Sequence, residues 1–209
     1  MLKLLTMVLI SYLAGSIPTA IIYGKLTRGI DIRQHGSGNA GATNVFRVLG
    51  WKAGVLVLLI DMAKGLVATL WIYKIGTGSF IGAPELLKIL AGLSAVFGHI
   101  WTVFAGFKGG KGVGTGAGMI IGLVPGAVLV AVVVFVLVVA ITRWVSLGSI
   151  LASLTIPIFL IIKRFVLTLP VSNTLLIFGL LIPALIIFTH RSNIKRLLNG
   201  TENKLAFKK

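Results

Sequence analysis

Apolar residues in this chain come in long unbroken runs, with neither the alternation of a strand nor the one-sided stripe of a surface helix. Residues 4–24, 53–73, 86–104, 146–162 and 171–189 are each close to continuously hydrophobic, and a sixth run covers 113–142. The hydrocarbon core of a bilayer asks for roughly 20 apolar residues per helix, so the five clear runs are predicted membrane spans. The sixth is longer and is broken by Gly122-Leu123-Val124-Pro125-Gly126.

Charge parity decides how that run is divided. Short loops rich in Lys and Arg stay on the cytoplasmic side. One span through 113–142 would put the basic segments around Lys25–Lys52 and Arg191–Lys209 on opposite sides of the membrane. Two short helices meeting at Pro125-Gly126 put both on the same side. The expected fold is therefore all-α and polytopic, with seven transmembrane helices, two short middle helices, the N-terminus outside and the C-terminus cytoplasmic. Fourteen Lys and Arg, from Lys25 to Lys209, then lie inside; Lys3, Lys74, Lys88, Lys163 and Arg164 lie outside, and Lys64 is within a span. The N-terminus reads as a retained span because no small-residue cleavage site precedes a soluble domain.

Composition supports this reading and removes other chemistry. The chain has 209 residues, 57% hydrophobic and only 11% charged, with a mean hydropathy of +1.06. A soluble domain carries about 25% charged residues. Twenty Lys and Arg against four acids give a net charge of +16; a nucleic-acid binder can match that charge, but not that hydropathy. The absence of Cys excludes disulfides, thiolate metal sites and a cysteine nucleophile. Three His and four acids make a dedicated metal cage unexpected.

The chemically capable residues crowd three inner segments, 31–52, 98–116 and 189–204. The first contains Gly36-Ser37-Gly38-Asn39-Ala40-Gly41-Ala42-Thr43-Asn44, with Arg33 before it and Arg47 after it. Glycines let backbone N–H groups converge on an anion, and hydroxyls and amides add donors. Ser37, Gly38, Asn39, Thr43, Asn44 and Arg47 thus describe a phosphate or carboxylate pocket. Residues 36–41 also satisfy G-x-G-x-x-G, but a dinucleotide site needs a βαβ unit, and here membrane spans flank the motif.

The second segment runs from Gly98-His99 through Phe107-Lys108-Gly109-Gly110-Lys111-Gly112. It departs from a P-loop at two places, Ala105 for the first Gly and Gly112 for the Ser or Thr that would hold magnesium. An anion remains the expected ligand of Lys108, Gly109, Gly110 and Lys111. The third segment, Thr189-His190-Arg191-Ser192-Asn193 to Glu202, has His190, Asn193, Arg196 and Leu197 at helical spacing, as an amphipathic continuation of the last span. Asp61 and Lys64, one turn apart within a span, read as a mutually neutralising pair ahead of a proton relay. Ser146 and Ser149 follow Arg143 as N-cap donors or as members of the same pocket.

Taken together, the three segments resemble the signatures of the bacterial acyl-phosphate:glycerol-3-phosphate acyltransferases of the PlsY type. Gly36 to Asn44 with Arg47 is similar to the first signature. Gly98-His99 with Phe107 to Gly112 is similar to the second, and His190-Arg191-x-Asn193-x-x-Arg196-Leu197-x-x-Gly200-x-Glu202 to the third. Ala40 stands where many members have Pro. The resemblance spans essentially residues 1–209 and implies a single integral membrane acyltransferase domain in the bacterial inner membrane, with its site on the cytoplasmic face. It implies acyl transfer from acyl phosphate to the primary hydroxyl of glycerol 3-phosphate, giving lysophosphatidic acid and phosphate. The expected partners are those two substrates, the lipid bilayer and a peripheral enzyme that produces acyl phosphate. A monomer is expected, with no nucleic acid and no cofactor.

The soluble-type glycerolipid acyltransferases use H-x-x-x-x-D, but His35, His99 and His190 are followed at that distance by Ala40, Phe104 and Lys195. Direct transfer without a His–Asp base is expected, the hydroxyl proton passing either to a substrate phosphate oxygen or to a lone His. Ser37, Thr43, Asn44, Arg47 and Lys108 are assigned to the phosphates, with Lys111 and the glycine-rich turn beside them. His190 and Asn193 orient the glycerol, Ser146 donates to it, and Glu202 completes the binding set. A transporter for an organic phosphate or anion is the rival class, suggested by the broken helices and the intramembrane charges.

Overall fold

The computed structural model describes residues 1–205, so Lys208 and Lys209, which the charge count placed inside, lie outside the described residues. Among the described residues the regular structure is entirely helical. Ten α-helices follow in order: α1 (Leu2–Ser16), α2 (Thr19–Arg28), α3 (Ala42–Leu49), α4 (Trp51–Leu70), α5 (Pro84–Ile100), α6 (Val113–Leu123), α7 (Pro125–Thr142), α8 (Val145–Ile161), α9 (Asn173–Thr189) and α10 (Arg191–Leu198). Five stretches are long and apolar enough to cross a membrane, Leu2–Arg28, Trp51–Gly76, Pro84–Ala105, Pro125–Thr142 and Val145–Val166. A sixth is α9 with α10, bent by 65°.

The predicted break in 113–142 falls at Val124, directly before Pro125, which takes the first position of α7. Proline fits there because the first helical turn needs no intrahelical N–H bond. The two resulting helices differ from the expected short pair: α6 has 11 residues, but α7 has 18 and is a full-length span by itself. Predicted span 4–24 is also divided, because Ile17-Pro18 separates α1 from α2. The third inner segment does not simply continue α9, since the 65° bend sets α10 apart as a helix of its own.

Chain contacts divide the molecule into two compact units, Met1–Leu123 and Val124–Lys209. In the first, α1 packs on α5, and α4 packs on α3, α5 and α6. These contacts run through small residues. A Cβ on Gly15 would overlap the Ala95 backbone, one on Gly65 would overlap Thr115, and one on Gly118 would overlap Met62. Helices in lipid gain little from hydrophobicity and associate by such close backbone approach. In the second unit α8 packs between α7 and α9.

The Asp61–Lys64 pair is real and has a further purpose. Lys64 Nζ lies 2.6 Å from Asp61 Oδ1, and it donates to the Ile17 carbonyl at 2.8 Å and to Thr19 Oγ1 at 2.9 Å. The Ile17 carbonyl, which also accepts the Thr19 N–H at 2.9 Å, thereby has a second donor at the break before α2. His99 of α5 completes the group, with Nδ1 3.6 Å from Asp61 Oδ1.

Candidate active site

In the first unit, α2 ends on Gly29 in the left-handed conformation (φ 67°), and the chain turns back at Asp31. The Asp31 carboxylate accepts from the Arg33 backbone N–H at 3.0 Å and starts a short 3-10 turn. The loop that follows is shaped by Asn44, reaching back from the first turn of α3. Asn44 Nδ2 donates to the carbonyls of Ile32 and His35, both at 2.9 Å, and its Oδ1 accepts from the Ser37 N–H at 2.8 Å. The side chain is only 1% exposed. Gly36 (φ 60°) is required beneath it, because a Cβ there would overlap Asn44 Oδ1.

Asn44 is thus engaged in building the loop, in contrast to the phosphate contact assigned to it from sequence. What the loop presents is Ser37, half-buried and pinned through its backbone, followed by Gly38 (φ 72°) and Asn39. Thr43 and Arg47, both half-buried, are one turn apart on α3 and share a face. Arg33, the other arginine of the segment, is held elsewhere: it pairs with Asp31 at 2.7 Å and donates to the Ala105 carbonyl at 2.9 Å.

The second segment folds back on the end of α5. The N–H groups of Gly109 and Gly110 donate to the carbonyls of Ile100 and His99, each at 3.0 Å. These two amides are therefore committed to the chain's own carbonyls. Lys108 is exposed and Lys111 is half-buried. The glycines are needed sterically, since a Cβ on Gly109 would overlap the His99 carbonyl and one on Gly110 the His99 ring. Thr102 Oγ1 donates to the Ser16 carbonyl and Tyr12 to that of Trp101, anchoring the start of the turn to α1.

In the second unit, the centre of the constellation is Glu202, only 7% exposed. Its Oε1 accepts from Ser146 Oγ at 2.8 Å and Asn193 Nδ2 at 2.7 Å, and its Oε2 from Arg196 Nε at 2.7 Å. Burial alone would raise the carboxyl pKa, but the bonds from Asn193, Ser146 and Arg196 hold it below its ordinary value. Glu202 therefore organises the segment, while the sequence reading had it among the substrate ligands. Ser146 and Asn193 are placed side by side by it. Ser149 turns away and donates to the Val145 carbonyl at 3.0 Å. His190, 3% exposed, sits at the α9–α10 bend with Nδ1 2.8 Å from the Ile186 carbonyl. Because a carbonyl can only accept, Nδ1 is the donor in that contact.

Sequence reasoning thus named Ser37, Gly38, Asn39, Thr43, Asn44, Arg47, Lys108, Gly109, Gly110 and Lys111 on one unit and Ser146, His190, Asn193 and Glu202 on the other. It missed the supporting roles of Asp31, Arg33 and His99. Asp31 carried a readable signal, a short carboxylate two residues before a turn-forming Arg; the contact of His99 with Asp61 crosses 38 positions of sequence and left none.

Comparison with known proteins places this arrangement. The pattern of the family described as glycerol-3-phosphate acyltransferase matches residues 5–200. A glycerol-3-phosphate acyltransferase of Chlorobaculum tepidum is 49% identical, over 99% of this chain and 98% of its own length. One from Chlorobium phaeobacteroides is 47% identical at the same coverage. The crystal structure of PlsY, an integral membrane glycerol 3-phosphate acyltransferase, in its glycerol 3-phosphate form gives a TM-score of 0.82 at 40% identity, covering 97% of this chain and 96% of that one. PlsY in its lysophosphatidic acid form gives 0.80 at 39% identity, covering 97% and 95%. Nothing in these likenesses favours a transporter. The chain is a multi-pass membrane enzyme and belongs to the glycerol-3-phosphate acyltransferase family.

Proposed function

We propose that this acyltransferase moves a fatty acyl group from acyl phosphate to the primary hydroxyl of glycerol 3-phosphate, releasing lysophosphatidic acid and inorganic phosphate in the first acylation of bacterial phospholipid synthesis. The observation that carries this reading is the pinned Ser37 loop followed by Thr43 and Arg47 on one face of α3. It is a phosphate-sized set of donors in a chain 40% identical to a protein seen in a glycerol 3-phosphate form. Ser37, Gly38, Asn39, Thr43, Arg47, Lys108 and Lys111 bind the phosphates. Ser146, His190 and Asn193 orient the glycerol hydroxyls.

The reaction is a single displacement. The glycerol oxygen forms a bond to the acyl carbon, the bond from that carbon to the phosphate oxygen breaks, and phosphate leaves with the electron pair. The hydroxyl proton passes to a phosphate oxygen of the substrate. In support, His190 Nδ1 contacts the backbone carbonyl of Ile186, and no His in the sequence is followed by Asp in the H-x-x-x-x-D pattern of a His–Asp base. Alignment and charge stabilisation supply the rate.

Seven spans complete the reading, with α1–α2 as the first and α6 as a short fourth, the N-terminus outside, and the basic segments and the active site on the cytoplasmic face of the inner membrane. The enzyme acts as a monomer, supplied by a peripheral enzyme that makes acyl phosphate. Purified protein given acyl phosphate and glycerol 3-phosphate is expected to release phosphate and lysophosphatidic acid in equal amounts. Turnover with acyl-CoA alone overturns the donor assignment, and no turnover with either overturns the reaction. Arg47→Ala is expected to abolish glycerol 3-phosphate binding. His190→Ala is expected to lose only a few fold in turnover, far short of the roughly 10²–10⁴-fold of a lost general base. A reporter fused at the C-terminus that proves extracytoplasmic refutes the topology.

A further inference from the structure

Arg33 belongs to the first inner segment by sequence, yet its guanidinium does not join the donors of that segment. Asp31 grips it along the fork, with Nε 3.1 Å from Oδ1 and Nη2 2.7 Å from Oδ2. This geometry uses one edge of the planar group and aims the remaining nitrogen in a fixed direction. That nitrogen, Nη1, donates to the carbonyl of Ala105 at 2.9 Å, across 72 positions of sequence.

Ala105 is the apex of the turn that leads to Lys108. Its own N–H and that of Phe107 both donate to the Thr102 carbonyl, at 3.2 and 2.8 Å, and its carbonyl also receives the Lys108 N–H at 3.4 Å. Gly106 and Phe107 then follow in the left-handed region, at φ 65° and 59°. For Phe107, which carries a Cβ, that conformation is strained. Such backbone persists only where its surroundings over-determine it. The backbone bonds inside the turn are local; α1 holds its start through Thr102, and Arg33 holds its apex from a different segment. The bond between Arg33 and Asp31 also holds the Asp31 carboxyl down at about 2, so the grip is charged throughout any physiological range.

We propose that Arg33 is a positioning residue: held by Asp31 and bonded to the Ala105 carbonyl, it sets the register of the 102–108 turn, and so of Lys108, against the Ser37–Arg47 segment. This rests on the assignment of Lys108 to a substrate phosphate. Lysine cannot replace it, because a single ammonium lacks the fork that serves Asp31 and Ala105 together. Asp31→Asn keeps the guanidinium but loosens its aim, so the effect is smaller and in the same direction.

The test is a double-mutant cycle on purified enzyme with acyl phosphate and glycerol 3-phosphate, with melting temperature recorded for each variant. Arg33→Ala is expected to lower kcat/KM about 10- to 100-fold, as a misplaced binding group does. Arg33→Lys is expected to recover little of it. Arg33→Ala combined with Lys108→Ala is expected to be no slower than Lys108→Ala alone, because a strut has no effect once the group it positions is gone. Lost stability would not produce that non-additivity. If Lys108→Ala is impaired and the two losses simply multiply, the strut is refuted and the phosphate role of Lys108 stands. If Lys108→Ala turns over like wild type, the phosphate role falls and the strut with it. Should Arg33→Ala yield no folded protein, Arg33→Lys carries the same cycle.

Discussion

Asn44 in the first unit and Glu202 in the second do the same job with opposite chemistry. Each is a buried side chain with three hydrogen bonds that gathers a signature segment around itself. Asn44 is neutral, and all its partners are backbone groups, so it fixes the path of a loop. Glu202 is charged, and all its partners are side chains, so it fixes where Ser146, Asn193 and Arg196 point. An amide that both donates and accepts can organise carbonyls and an N–H together; a carboxylate can only collect donors. The difference explains why one hub shapes a backbone path, while the other ties the side chains of Asn193 and Ser146 to an internal charge.

The largest effect is expected where the charge is removed. Glu202→Ala leaves buried donors of Ser146 and Asn193 and the cation of Arg196 without their acceptor, and should destabilise the protein by about 3 kcal/mol. Glu202→Gln, which keeps an acceptor oxygen, should lose distinctly less in a thermal melt. Next comes the inverse exchange at Asn44. Asn44→Asp removes both donations to the Ile32 and His35 carbonyls and turns a carboxylate toward them, for a loss of about 2–3 kcal/mol. Equal tolerance of both exchanges would erase the distinction between the two hubs.

A smaller effect is expected at Gly36. A side chain there meets Asn44 Oδ1 and must hold a left-handed φ, so Gly36→Ala should destabilise by about 1–2 kcal/mol. In the Asn44→Ala background the steric part of that loss should shrink. The smallest effect is the pH response. The Glu202 pKa is lowered on folding from an ordinary 4.5. Its stabilising contribution is therefore complete above that value and is lost as pH falls through the folded one. Hydrogen exchange on acidification should loosen 190–202 before 32–44, whose hub does not titrate. Glu202→Gln should flatten the response, and simultaneous loosening of both segments would contradict the contrast.

Much of this was legible residue by residue. Unbroken apolar runs announce spans because a bilayer tolerates little else, and Pro125 announced the break before α7 because proline starts helices well and continues them poorly. The signature segments drew the eye because hydroxyls, glycines and cations crowd there between apolar spans. Less readable was which of their polar groups the fold itself engages. Asn44, Gly109, Gly110 and Glu202 belong to the same motifs as Ser37 and Lys108, but their polar groups are engaged by the chain itself.

By itself, then, the sequence determined a helical membrane protein and the break before Pro125. Those follow from local physics, since hydropathy, helix geometry and proline act over a turn or two. Only the tertiary structure decided that Lys64 bonds the Ile17 carbonyl, that Arg33 braces Ala105, and that Glu202 gathers Ser146 with Asn193. Each of those depends on groups brought together from 47, 72 and 56 positions apart. Whether a donor serves a substrate or the fold depends on what packing puts within 3 Å of it, and no local pattern records that.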